Sequence, residues 1–93
     1  MEYEWDENKR RSNIKKHGFD FADAKELFKG YTVTMKDERF HYKEQRFVTL
    51  GIIKDRVAVV VHTERHNAIR IISIRKASKY EQKIYFSQIP NRF

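Results

Sequence analysis

The pattern of apolar and polar positions divides the chain into a helical first third and a strand-rich remainder. Residues 6–17, DENKRRSNIKKH, are polar almost throughout, with Asp6 as a helix N-cap and Gly18 as a C-terminal stop. We therefore predict a surface helix that is held in place by Trp5. A second helix is predicted after Asp20 and before Gly30, with one apolar face made of Phe21, Ala24, Leu27 and Phe28.

After Gly30 the period changes to two, which is typical of strands. Tyr31, Val33 and Met35 alternate with polar residues and predict a half-buried strand, followed by a polar loop over residues 36–45. Three apolar runs joined by short turns then predict an antiparallel meander, with the strand at Val33 at an edge or paired with the strand at Phe47. The runs are residues 47–55, 56–62 and 68–75, and a turn spans Glu64 to Asn67.

The last predicted element is a helix that begins at Ser78, where Ser-Lys-Tyr-Glu is a capping-box pattern, and ends near Phe86. The expected fold class is α+β: two N-terminal helices, a four-stranded antiparallel sheet and a C-terminal helix, with the helices on one face. A chain of 93 residues with 40% hydrophobic content has interior for one core, so a single domain over residues 1–93 is expected.

Composition and charge narrow the function classes. The absence of cysteine excludes disulfides and a Cys-ligated zinc site. No apolar run approaches the ~20 residues of a membrane span, and the N-terminus lacks the apolar stretch of a signal peptide, so we expect a soluble cytoplasmic protein without membrane contact. The 20 Lys and Arg against 13 Asp and Glu give a formal charge of +7. This charge favours a polyanionic partner, although solubility alone is the simpler explanation.

Three familiar motifs are excluded. His62 and His66 flank Glu64 in HTERH, but a zinc protease places its glutamate directly after the first histidine, on a helix. In an extended chain the two histidines stand roughly 13 Å apart at ~3.3 Å per residue, too far to share a metal. No serine occupies a glycine-flanked elbow, and the three glycines are isolated, so neither a serine triad nor a nucleotide-binding loop is predicted.

The unusual feature is a set of arginines in the last predicted hairpin, at Arg65, Arg70 and Arg75. Simple alternation places Arg70 on the face of Ile72 and Ile74, and Arg75 on the face of Ile69, Ile71 and Ser73. One of these two arginines is then expected to be buried in an ion pair, with Glu64 or Glu44 as its partner. The other is expected on the open face of the sheet.

Arginines on an open face, near a hydroxyl, a carboxylate and lysines, are suited to a phosphodiester, because their guanidinium groups bind phosphate oxygens in pairs. RNA carries its own nucleophile, the 2′-hydroxyl, so metal-free cleavage requires only a base and an acid within reach. Glu64 or a histidine is the candidate base, and an arginine or lysine the candidate acid. The same surface also fits a noncatalytic protein that binds a nucleic acid or a partner protein.

Three segments resemble the BrnT toxins of type II toxin–antitoxin systems, and together they cover nearly the whole chain. The first is the opening YEWDENKRRSNIKKHGFDFADAKELF. The second is QRFVTLG, with Gln45 where the family has an acid. The third is VVVHTERHNAIRIISIRKASKYEQKIY. The chain departs from the family at Glu81 and Gln82, where a second basic residue is commoner.

The resemblance implies a RelE-like compact fold and a metal-independent ribonuclease that cleaves RNA and attenuates translation and growth, without a cofactor. It also implies neutralisation by a BrnA-like ribbon-helix-helix antitoxin, with a heterotetramer as one expected assembly and operator DNA bound only through the antitoxin. The candidate catalytic residues are Glu64, Arg65, Arg70, Ser73 and Arg75. The candidate RNA-binding residues are Arg46, Lys76, Lys79 and Tyr80.

Overall fold

A computed structural model describes residues 2–38 and 43–90 of the chain, so part of the predicted polar loop lies outside the described residues. In chain order the elements are β1 (Glu2–Trp5), α1 (Glu7–His17), a 3-10 turn (Phe21–Asp23), α2 (Ala24–Lys29), β2 (Val33–Lys36), β3 (Phe47–Ile53), β4 (Arg56–Arg65), β5 (Ala68–Lys76) and α3 (Lys79–Gln88). None of the helices in this described part is long and apolar enough to cross a membrane.

The strands form one mixed sheet in the order β1-β5-β4-β3-β2. The predicted meander of β3, β4 and β5 is confirmed, as is the pairing of β2 with β3. The prediction of four antiparallel strands is wrong, because β1 adds a fifth strand that runs parallel to β5. β1 has only four residues and pairs with a strand more than sixty positions away, so local patterning does not reveal it.

The helix ends follow the predicted caps. The Asp6 carboxylate accepts a hydrogen bond from the Lys9 backbone N–H at 3.0 Å, and Gly18 ends α1 with a φ of 76°. Ser78 and Glu81 form the predicted capping box of α3. The second helix differs from its prediction, since Asp20 caps the 3-10 turn and the α-helical part begins only at Ala24.

Two tight turns set the register of the meander. Lys54 and Asp55 have φ values of 50° and 66°, and His66 and Asn67 have values of 52° and 66°. Positive φ at both central residues is the geometry whose twist matches that of two antiparallel strands. Both turns lie where the sequence predicts them.

A β-bulge interrupts the alternation of β5. Val61 of β4 pairs with Ser73, but the next residue, His62, pairs with Ile71, so Ile72 has no partner across the ladder. The prediction that Arg70 shares a face with Ile74, and Arg75 with Ile71, is therefore wrong. Across the bulge, Ile69, Ile71 and Ile74 all enter the same hydrophobic core. Arg70, Ser73 and Arg75 consequently lie together on the opposite face.

One face of the sheet, which we call the covered face, packs under the 3-10 turn and α2. Phe21, Ala24 and Leu27 belong to one core with Ala58, Val60, Ile69, Ile71 and Ile74, and all are at most 3% exposed. Gly51 lies directly beneath Leu27, because a Cβ atom at position 51 would stand 2.5 Å from the Leu27 Cγ. This close approach explains why a glycine interrupts an otherwise apolar strand.

The other face carries α3 at one end only. Tyr85 packs there against Leu50, Val57, Val59 and Ala77, and its hydroxyl donates to the Tyr31 carbonyl at 2.9 Å. The prediction that all helices lie on one face is therefore wrong. Since α3 covers one end, the part of this face nearest β1 is left open.

Asn13 of α1 closes the edge of β5 beyond the point where β1 ends. Its side-chain amide donates to the Ile74 carbonyl at 2.8 Å and to the Phe19 carbonyl at 2.9 Å, and its oxygen accepts from the Ile74 N–H at 3.1 Å. The amide thus replaces a neighbouring strand at Ile74, and it is 5% exposed. This contact fixes α1 along the β5 edge.

Candidate active site

The open part of the sheet carries a group of charged and hydroxyl side chains that we call the arginine face. It consists of Glu4 from β1, Thr63 and Arg65 from β4, and Arg70, Ser73 and Arg75 from β5. The ladder places Arg70 between Glu4 on one side and Thr63 on the other. Because Arg70 pairs directly with both neighbours, the three side chains emerge on the same face.

Glu4 lies between two arginines. Its carboxylate is 3.5 Å from the Arg65 Nε and 3.8 Å from an Arg70 guanidinium nitrogen. The side chains of Glu4, Arg65 and Arg70 are 43%, 49% and 33% exposed, so water screens these long contacts and each contributes less than about 1 kcal/mol. The two arginines can therefore exchange Glu4 for a phosphate at little cost.

A cavity of about 450 Å³ opens at this cluster, with Glu2, Ala68 and His66 completing its lining around Glu4, Arg65 and Arg70. Glu4 is a residue that sequence reasoning missed, because its place depends on the unpredicted strand β1. His66 lines the cavity from the turn between β4 and β5, where its φ is positive. Two carboxylates, an imidazole and two guanidinium groups thus surround one opening.

Arg75 has a different environment. Its two guanidinium NH groups donate to the two Glu81 carboxylate oxygens at 2.8 and 2.9 Å, a bidentate pair between β5 and α3. The hydrogen bonds from Arg75, together with that from the Ser78 N–H, lower the pKa of Glu81 to about 2 against the opposing effect of burial. The ion pair predicted for one arginine is found at Arg75, but the predicted burial is wrong, because this side chain lies on the arginine face and is 38% exposed. Its expected partners were wrong, because the acid is Glu81 rather than Glu64 or Glu44.

Ser73 is half-buried opposite Val61 and lies where the sheet meets α1. It lines a narrow groove between β5 and α1 together with Ile72 and residues of that helix. The bulge at Ile72 is what turns Ser73 to the arginine face rather than into the core. Ser73 therefore lies on the arginine face, for a reason that simple alternation does not provide.

The structure separates Glu64 from this group. Glu64 pairs with Ile69, and Ile69 belongs to the core of the covered face, so the two side chains share that face. The expectation that Glu64 supplies a carboxylate beside Arg70 and Ser73 is wrong. Glu4 occupies that place.

The predicted RNA-binding residues lie in three different places. The Asp37 N–H donates to the Arg46 carbonyl at 2.9 Å, which extends the β2–β3 ladder by one residue and places Arg46 on the same face as Val48 and the arginines. Lys76 pairs with Ala58 of the covered face, so it is not part of the arginine face. Lys79 and Tyr80 are exposed in the first turn of α3, with Tyr80 73% exposed.

His62 is buried on the covered face. Its Nε2 lies 2.7 Å from the Thr49 hydroxyl, which is in turn 2.8 Å from the Thr34 hydroxyl, and the rings of Phe47 and Phe28 pack against it. Burial lowers the pKa of His62 to about 4, so the imidazole is neutral at pH 7. Its Nδ1 is buried and has no hydrogen-bond partner among the residues that the structure describes. Protonation at Nε2 is favoured, because this leaves an acceptor rather than a donor unsatisfied.

Trp5 is a packing residue, since its indole meets the Phe21 ring edge-on at 6.3 Å between centroids. Within residues 2–38 and 43–90, no group of three His, Cys, Asp or Glu side chains is placed to hold a metal ion.

The comparisons with known proteins agree with the sequence resemblance. A search of curated proteins gave no match. A family model, described as "Ribonuclease toxin, BrnT, of type II toxin-antitoxin system", matches residues 5–81. This range contains Arg46, His66 and every member of the arginine face except Glu4. The match covers more than half of the chain, and the chain therefore belongs to the BrnT family of ribonuclease toxins of type II toxin–antitoxin systems.

Proposed function

We propose that the protein is a metal-independent endoribonuclease whose active site is the arginine face. The observation that carries this proposal is the bulge at Ile72, which brings Arg70, Ser73 and Arg75 to one face beside Arg65 and Glu4. Guanidinium groups stabilise the charge that develops on a phosphodiester in the transition state, a task that a metal ion performs in other nucleases. The site offers this charge from side chains alone.

The proposed reaction uses the 2′-hydroxyl of RNA as the nucleophile. The phosphate binds Arg65 and Arg70 in the cavity, displacing the Glu4 carboxylate from its two weak contacts. Glu4 accepts the proton of the 2′-hydroxyl, the 2′-oxygen bonds to phosphorus, and the bond from phosphorus to the 5′-oxygen breaks. His66 donates a proton to the leaving 5′-oxygen. The products are a 2′,3′-cyclic phosphate and a 5′-hydroxyl.

Three other predicted residues have supporting roles in this proposal. Ser73 donates a hydrogen bond to a neighbouring phosphate oxygen, and Arg46 adds positive charge at the far side of the face. Arg75, held by Glu81, positions β5 against α3 and contributes charge at longer range. Glu64 has no role here, since it faces the other way.

The proposal is tested with purified, antitoxin-free protein and single-stranded RNA in excess chelator. We expect cleavage by the parent protein and a loss of about 100-fold in rate for Arg70→Ala. Arg70→Lys should restore little, because a lysine cannot bind two phosphate oxygens in parallel. The matched control is Arg11→Ala, which removes one exposed arginine of α1 outside the arginine face.

Two results would reject the proposal. One is an Arg70→Ala variant that cleaves as fast as Arg11→Ala, which would place the chemistry elsewhere. The other is intact RNA with every protein, together with RNA binding that Arg70→Lys preserves. That combination is the behaviour of a noncatalytic nucleic-acid-binding module, in which one cation replaces another with modest loss.

We further propose that a ribbon-helix-helix antitoxin similar to BrnA neutralises the protein, and that the free toxin attenuates translation. A type II toxin has a protein antitoxin, and neutralisation requires that the arginine face be closed to RNA. Addition of such an antitoxin should abolish RNA cleavage and yield a complex that binds operator DNA, which the toxin alone does not bind. Failure to form a complex would reject this antitoxin class without affecting the cleavage proposal.

A further inference from the structure

A second concave surface adjoins the arginine face, and we call it the α1 groove. It has a volume of about 200 Å³ and runs between α1 and the edge of β5. Ile72 and Ser73 line one side, and the α1 side chains of Lys9, Ser12, Asn13, Lys16 and His17 line the other. Lys9 and Lys16 are seven residues apart, so at 3.6 residues per turn they lie on nearly the same side of the helix.

The cations of α1 are of two kinds. Arg10 is 2.7 Å from Glu7 and 2.9 Å from Asp20, and Arg11 is 3.6 Å from Glu7. The contact with Arg10 is the main reason why the pKa of Glu7 is lowered to about 2. In contrast, Lys9 and Lys16 form no ion pair with any residue in the described part of the chain. Glu7 and Asp20 thus pair with the arginines and Asp6 caps the helix, so none of these carboxylates pairs with the two lysines of the groove.

The position of the groove is fixed by packing. The three hydrogen bonds of Asn13 attach the middle of α1 to Ile74 and Phe19, and Asn13 lies between Lys9 and Lys16 in the helix. The lysine backbones therefore hold a constant distance from Ser73. Binding of an anion then requires the lysine side chains to become ordered, but not the helix backbone.

We propose that the α1 groove binds a second phosphate of the same RNA strand, next to the phosphate that is cleaved, with Lys9 and Lys16 as its cations. This inference rests on the proposed function. Arg70 and Ser73 are three residues apart on β5, or roughly 10 Å at ~3.3 Å per residue, so one strand of RNA passes from the cavity across Ser73 into the groove. A groove of 200 Å³ has room for a phosphate and its ribose.

The test compares two double variants that each remove two positive charges. Lys9→Ala with Lys16→Ala alters the groove, and Lys25→Ala with Lys29→Ala alters exposed lysines of α2 outside it. The substrates are a 12-nucleotide single-stranded RNA and a dinucleotide that spans only the scissile phosphate. Steady-state cleavage gives KM and kcat, and fluorescence anisotropy of the 12-mer gives the dissociation constant over a range of salt concentrations.

For the groove variant we expect KM and the dissociation constant of the 12-mer to rise about 10-fold, with kcat unchanged and the dinucleotide cleaved normally. The slope of log affinity against log salt should become shallower by about one, because a phosphate contact is lost. The α2 variant should keep values near those of the parent. This pattern separates a local phosphate site from a general effect of net charge.

Three results would overturn the inference: equal losses in both double variants, an equal loss on the dinucleotide, or no change in the groove variant. If the parent protein cleaves neither substrate, the proposed nuclease function fails. The anisotropy measurement still tests whether the α1 groove binds RNA. Weaker binding of the 12-mer by the groove variant alone would then retain the α1 groove as an RNA site on a noncatalytic protein.

Discussion

The two faces of one sheet differ in almost every physical respect. On the covered face, α2 and the 3-10 turn exclude water, glycine replaces a larger residue beneath Leu27, and His62 is uncharged at pH 7. On the arginine face, Glu4, Arg65 and Arg70 remain hydrated and weakly paired. The same strands supply both sets of residues, because alternate side chains point to opposite faces.

This contrast shows how a chain of 93 residues keeps its stability apart from its chemistry. Substitutions on the covered face should change folding, and substitutions on the arginine face should change activity. The bulge at Ile72 maintains the separation over the length of β5, since without it either the isoleucines or the arginines would change face halfway along the strand.

The largest expected effect is at the contact of Leu27 with Gly51. Leu27→Ala should lower the free energy of unfolding by about 3 kcal/mol, through lost burial and a cavity over β3. Gly51→Ala should cost roughly 1–3 kcal/mol in the parent, because its Cβ meets the Leu27 side chain. In the double variant that conflict disappears, so denaturant unfolding should reveal a favourable coupling of about 1 kcal/mol between the two substitutions.

Gly30→Ala is the matched control for that cycle. A Cβ atom at Gly30 would meet only the Leu27 carbonyl oxygen, at an ordinary 3.8 Å. It should therefore cost little and show no coupling to Leu27→Ala. Additive costs for Leu27→Ala and Gly51→Ala would contradict the close packing of α2 on β3.

The second effect is an acid dependence of stability that originates on the covered face. The pKa of His62 is lowered to about 4 in the folded protein, below the unperturbed value of about 6.5, so the unfolded chain binds a proton more readily. Stability is complete above pH 6.5 and is lost as the pH falls from 6.5 to 4, by at most about 3 kcal/mol. Urea unfolding at several pH values, with His62→Gln beside the parent, measures this slope.

His62→Gln should have a flatter profile between pH 6.5 and 4 than the parent. His17→Gln, at the exposed end of α1, should keep the parental slope. If the His62 and His17 variants have the same profile as the parent, the acid sensitivity does not come from the buried imidazole.

Features that depend on residues close in sequence could be predicted, whereas features that depend on distant residues could not. The caps of α1 and α3 and the two tight turns depend on neighbours within a few residues, and the sequence shows them directly. The strand β1 depends on a parallel pairing with β5, and the bulge depends on the register between β4 and β5. Neither has a local signal in the sequence.

The candidate site is predictable to a similar extent. The arginines and Ser73 are recognisable because charged and hydroxyl residues interrupt a run of isoleucines. Glu4 and Glu81, which are the acids that contact those arginines, come from β1 and α3, and only the assembled fold brings them together. Glu64 is next to Arg65 in the sequence, but neighbouring residues on a strand point to opposite faces. Glu64 therefore lies on the covered face.

The third effect concerns Glu4 as the proposed base. Glu4→Gln keeps the shape of the side chain and removes its capacity to accept the proton, so kcat should fall about 100-fold, or about 2.7 kcal/mol in the barrier. The free energy of unfolding should change by less than about 0.5 kcal/mol, because the contacts of Glu4 are long and exposed. Cleavage of single-stranded RNA under saturating conditions measures kcat.

Glu2→Gln is the control, since Glu2 lines the same cavity two residues earlier on β1. It should retain the parental kcat. An unchanged kcat in Glu4→Gln would show that Glu4 only occupies the phosphate site in the free protein, and would transfer the role of base to another group.

The smallest expected effect concerns the pair that joins the arginine face to α3. Glu81→Gln replaces a bidentate ion pair with weaker hydrogen bonds to Arg75 while leaving an acceptor for the Ser78 N–H, so unfolding should become easier by about 1 kcal/mol. Because the pKa of Glu81 is lowered to about 2, its contribution is present above pH 4.5 and is lost as the pH falls from 4.5 towards 2. The parent should therefore show this acid loss and the variant should not. Glu44→Gln, at an exposed position, is the control and should resemble the parent.

The same Glu81→Gln variant also tests the role of Arg75 in RNA cleavage. A cleavage rate within about 3-fold of the parent would identify Arg75 as a positioning residue. A loss as large as that of Arg70→Ala would place Arg75 among the groups that contact RNA.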